Sequence, residues 1–94
     1  MIVPTSPPIA DLQQRLDRLR AMFPDDISRI VPRTAPDWTG DPSLFFEVYL
    51  TPAGARTERI TDLVRRFPLA LIMEVRSEDF GFHSYHDFIT DPTA

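Results

Sequence analysis

Cysteine is absent from the chain, and with it disulfides, thiolate nucleophiles, zinc ribbons and redox motifs. A secreted domain this small ordinarily carries such staples, so the reducing cytoplasm is the expected compartment. Lysine and asparagine are absent as well, and all ten basic residues are arginine. Both missing residues use AA-starting codons, so the bias marks a GC-rich coding sequence of bacterial type rather than a functional choice. The three glycines, Gly40, Gly54 and Gly81, stand alone, which excludes a phosphate-cradling loop. The longest apolar run, Pro68 to Met73, is far too short to span a bilayer. Met1 to Pro8, interrupted by Pro4, Pro7 and Pro8, reads as an extended arm and not as a signal segment. A net charge of −4 denies the surface the positive field that nucleic acids or anionic membranes require, so neither is an expected partner.

What is present is sufficient for one globular core. Of the 94 residues 43% are apolar, and seven are Phe. That length is a single domain. Its expected extent is residues 9–90, with a short frayed tail from Asp91 to Ala94.

The first helix is expected to start at Ser6, an N-cap, with Pro7 at the first helical position. Ile9, Leu12, Leu16, Leu19 and Phe23 then recur at helical spacing, and Pro24 stops the run. A strand over Ile27 to Arg33 follows, placed at a sheet edge because Pro32 cannot donate to a ladder. After a loop from Thr34 to Ser43, Leu44 to Leu50 alternate cleanly. Leu44, Phe46, Val48 and Leu50 face one way, and Phe45, Glu47 and Tyr49 the other. A second helix, from about Arg56 to Phe67, carries Ile60, Leu63, Val64 and Phe67 on one side and is ended by Pro68. Leu69 to Arg76 reads as a central third strand, and Phe80 to Phe88 as a fourth.

The expectation is therefore an α+β two-layer sandwich of order α-β-β-α-β-β. Its four-stranded mixed sheet has both helices on one face. The crossover through the second helix makes its flanking strands parallel, in the order 1-2-3-4 or 3-4-2-1.

The other sheet face is left open. Phe45, Glu47 and Tyr49, Glu74 and Arg76, and His83, Tyr85 and Asp87 are expected to share it. The same face supports two readings: a protein-interaction surface, or a small-ligand or enzymatic site around His83, Asp87, Glu74 and Tyr85. His83 and His86 point to opposite faces of a strand, so they cannot share a metal ion. No cofactor and no metal site is expected. No nucleophile elbow or helical His pair supports catalysis. The only Trp, Trp38, lies in a proline-framed loop, either as a lid on the core or as a recognition anchor. Arginines on both helices read as solvated faces. The expectation is a small non-catalytic protein that binds a protein partner or itself.

Overall fold

The computed structural model describes residues 9–77 and 81–91. The expected N-terminal arm, the Ser6 cap with Pro7, the side chain of Ile9, the turn and strand start at 78–80 and the tail residues 92–94 lie outside these. In chain order the elements are α1 (Ile9–Ala21), β1 (Ile27–Pro36), β2 (Pro42–Leu50), α2 (Thr57–Val75) and β3 (His83–Thr90). The fold is α+β, with two helices and a three-stranded mixed sheet of order β1-β2-β3. β1 runs antiparallel to β2 and occupies an edge, where Pro32 leaves no central ladder broken. β3 lies parallel to β2, in register from Ser43 opposite His83 to Leu50 opposite Thr90.

The expected four-stranded sheet is corrected here. Leu69 to Arg76 is not a strand but the second half of α2, which runs through Pro68. The physical reason lies in the spacing of Leu63, Phe67, Leu71 and Val75, which are buried at every fourth position across the proline. An interior proline costs a helix about 3 kcal/mol or more. Continuing the helix buries Leu71 and Val75, worth about 1.5–3 kcal/mol each. The carbonyl that loses its partner belongs to Val64, which is 54% exposed, so water can reach that turn. Val64, expected in the core, is thus on the wet side. With the third strand gone, the expected fourth becomes β3, the parallel neighbour of β2.

On α1, Leu12, Leu16, Leu19 and Phe23 are buried as their spacing predicts. They meet the α2 row and the apolar side of β2 in one cluster, with Phe23 against Phe67 at 5.9 Å between ring centres. Leu44, Phe46, Val48 and Leu50 are all buried there. On β3 the same side carries His86, which packs against Phe67 and Phe88. Burial against these rings lowers the His86 pKa. His83, in contrast, faces the other side of the sheet, as alternation requires.

The two halves are closed at one crossing. Thr51 N–H donates to the Asp26 carbonyl at 3.0 Å, its hydroxyl donates to the Asp25 carbonyl at 2.6 Å, and Arg59 pairs with Asp26 at 2.7 Å. Gly54 sits so close that a Cβ there would lie 2.1 Å from the Asp26 carbonyl oxygen. At the same end of the sheet Asp91 is buried: its N–H donates to the Leu50 carbonyl, and its carboxylate accepts from Ser28 at 2.7 Å.

Two substitutions test this packing by chemical denaturation. Phe46→Ala is expected to lose about 3–5 kcal/mol, the cost of excavating a buried aromatic. Gly54→Ala is expected to lose about 2–3 kcal/mol although it adds only a methyl group, because the obstacle is backbone. A Gly54→Ala variant as stable as the parent would mean that the crossing is not closed.

Candidate functional site

The face of the sheet away from the helices is built by register. A bulge at Ser28 separates Ile27, which pairs with Leu50, from Arg29, which pairs with Tyr49. The extra residue turns Ile27 into the core and Arg29 outward. Arg29, Val31 and Arg33 therefore share the outer face with Phe45, Glu47 and Tyr49 of β2 and with His83, Tyr85, Asp87 and Ile89 of β3. Val31, Glu47 and Asp87 lie in one row across the three strands, and Arg33, Phe45 and Tyr85 in the next.

Aromatic rings define the centre of this face. Phe45 and Tyr85 stack at 5.2 Å between ring centres with 21° between planes. Trp38 also packs against Tyr85, tilted at 5.2 Å between ring centres, and is 80% exposed. That exposure overturns the reading of Trp38 as a lid over the core. The loop that carries it is fixed by Asp37. One carboxylate oxygen accepts from the Thr39 hydroxyl at 2.6 Å and from the Thr39 and Asp41 amides at 2.9 and 3.1 Å. Its other oxygen accepts from the Tyr85 hydroxyl at 2.9 Å. Gly40 supplies the positive φ, 87°, that the turn needs.

These bonds set the electrostatics. The Thr39 hydroxyl, joined by Tyr85 and the two amides, holds the Asp37 carboxyl down at about 2. The same bond raises the Tyr85 phenol, which must give up a proton beside a carboxylate. Farther along, the Arg29 guanidinium covers the Tyr49 ring at 4.0 Å and lies 3.6 Å from Asp91.

Of the residues expected to share this face, Phe45, Glu47, Tyr49, His83, Tyr85 and Asp87 do so. Glu74 and Arg76 do not. Glu74 is on α2, 3.9 Å from Arg18, and Arg76 closes that helix in the left-handed conformation at φ 53°. Both were displaced with the missing strand, so the four-residue site around His83, Asp87, Glu74 and Tyr85 does not assemble. His83 instead lies 3.4 Å from Asp41. Asp37, Asp41 and His83 offer ligand atoms within 4.8 Å of one another, in an exposed setting where Asp37 is already saturated with donors. Arg29 and Arg33 were given no face from the sequence, where nothing marks the bulge that separates them from Ile27.

Among the described residues most of the helix arginines are engaged. Arg15 donates to the Val75 carbonyl, Arg20 to the Ser28 carbonyl, and Arg18, Arg59 and Arg66 face Glu74, Asp26 and Asp62. Met22, Leu69 and Met73 leave a second exposed apolar area on the outer side of the helices. Among the described residues no helix is long and apolar enough to cross a membrane.

Comparison with protein-family models, with curated proteins and with solved structures returned no match.

The loop has a defined acid transition. Since Asp37 titrates at about 2 in the folded chain against an ordinary 3.8, its contribution is complete above pH 3.8 and is lost as pH falls through about 2. Trp38 fluorescence should report that transition. Asp37→Asn should abolish it and bring the Tyr85 phenol down toward its ordinary value, read from tyrosinate absorbance.

Proposed function

We propose that the chain is a small non-catalytic interaction domain that docks its open sheet face and Trp38 loop against another protein surface. The observation that carries this reading is the Trp38–Tyr85–Phe45 row. It is a largely exposed indole held on a hydrogen-bonded loop, backed by two stacked rings. Trp and Tyr dominate binding energies when they are buried at an interface, and rings fixed beforehand lose little freedom on docking. Charges of both signs surround the row, in the manner of a polar rim.

A catalytic reading has less behind it. The depression beside Phe45, Tyr85, Glu47 and Asp87 holds about 160 Å³, and the larger hollow of about 360 Å³ lined by Thr34, Pro36, Pro42, Ser43 and Phe82 has no ionisable side chain in its wall. Sites that enclose a small molecule usually hold roughly 300 Å³ or more. Engagement of the helix arginines, together with the net charge of −4, favours protein over nucleic acid as the partner. The lack of cysteine suits a cytoplasmic setting.

The test separates stability from association. Trp38→Ala should leave the unfolding free energy within about 0.5 kcal/mol, the usual range for an exposed side chain. It should weaken self-association, or retention of a specific partner, at least ~10-fold, in line with truncation of an interface anchor. Association unchanged by Trp38→Ala, or none at all by either assay, would remove the reading.

A further inference from the structure

We infer that the occupant of the open face is a second copy of the chain, related by a two-fold axis that runs along β2. The inference rests on the interaction reading above and adds the partner and its orientation.

The charges on this face are sorted by strand. β1 presents Arg29 and Arg33, and β3 presents Asp87, with Glu47 beside it on β2. Glu47 and Asp87 are register partners on adjacent strands, an arrangement in which like charges repel. Among the described residues neither forms an ion pair, and neither does Arg33. One face thus carries an unmatched cation at one edge and an unmatched pair of carboxylates toward the other.

Two ways of laying this face on itself are distinguished by that pattern. A two-fold axis across the strands would put β1 over β1 and β3 over β3, so that arginine meets arginine. An axis along β2 exchanges the edges and keeps each row at its own height. Val31 of the second copy then lies over Asp87, because both belong to one row, and Arg29 and Arg33 of that copy fall on either side of it. Asp87 gains the cations that it lacks, while Glu47, on the central strand, faces Glu47 of the second copy across the axis. Arg33 of the second copy also comes over the Tyr85 and Trp38 rings, where a guanidinium is attracted to an aromatic face. A two-fold interface of this kind is self-complementary and closed, so it stops at two copies. Three strands about 4.8 Å apart and eight residues long present roughly 400 Å² per copy. At about 800 Å² in total this lies below standard specific interfaces and in the range of weak, transient contacts, so a readily dissociating dimer is expected.

Charge exchange tests the arrangement through sedimentation and light scattering of the full chain up to about 0.5 mM, a concentration above any micromolar constant. Arg33→Glu alone and Asp87→Arg alone should each weaken the dimer at least ~10-fold, since each sets like charges against one another. Both positions are at the surface, and circular dichroism checks that each variant is folded. An equimolar mixture of the two variants should dimerise with near-parental affinity, because position 33 of one then faces the opposite charge at 87 of the other. The double variant in one chain should dimerise as well. If the parent dimerises but mixing restores nothing, the two-fold axis along β2 is wrong. A parent that stays monomeric while a partner is held through Trp38 overturns the second copy and leaves the interaction reading standing. With neither dimer nor partner, both fall.

Discussion

Leu63, Phe67, Leu71 and Val75 form a single row along α2, and the placement of every other element depends on that row being continuous. It lies against the buried side of β2 and against the Leu12–Phe23 stripe of α1. Because the four side chains are spaced by four, burying them requires one helix and not a helix followed by a strand. The continuous helix overrides Pro68, whose missing N–H and crowded ring would end a helix with less to bury. Its length in turn makes β3 return parallel to β2 instead of pairing with a hairpin neighbour. Among the described residues the sheet then has three strands, with β2 in the middle and no element covering its other face.

Both ends of β2 are locked by contacts that do not belong to the sheet ladder. At Leu50 and Thr51 the chain meets the turn after α1, through Asp26, Arg59 and the close approach of Gly54. At Pro42 it meets the Asp37 loop, whose hydrogen bonds converge on one carboxylate. A strand pinned at both ends has a fixed register, and a fixed register decides which residues look outward. The aromatic row and the sorted charges are consequences of that pinning. Moving β2 by one residue would bury Glu47 and expose Phe46.

Much of this was legible in the sequence, and the reasons for the exceptions are local. The alternation from Leu44 to Leu50 identified both sides of β2 correctly, because hydrophobic and mixed residues differ strongly there. Proline at position 32 placed β1 at an edge. Proline at position 68, weighed as a stop, carried more than it should against the four-residue spacing that passes through it. The run from Leu69 to Met73 is apolar on all sides, and such a run does not distinguish a buried strand from a helix with an exposed apolar face. Treating it as a strand brought Glu74 and Arg76 onto the open face, where they do not belong. Arg29 and Arg33 were not assigned a face from the sequence, because alternation puts them on the side of apolar Ile27 and only the bulge at Ser28 separates them from it. Trp38 could have gone either way on composition alone, and its exposure depends on the hydrogen bond between Asp37 and Tyr85, two residues distant in sequence.

The parallel pairing of β2 with β3 also sets an order of events in biosynthesis. β1 and β2 are joined by a short turn and can pair as soon as both have left the ribosome, but β3 follows only after the nineteen residues of α2. During that interval β2 is itself an edge, with its hydrogen-bonding groups unpaired and Phe45 and Phe46 on its two sides. Pairings that close long stretches of chain form late, and unpaired apolar edges invite intermolecular addition while they wait. For this molecule the hazardous moment is the nascent chain with its central strand half made, and α2 is the element that both delays the cover and delivers it.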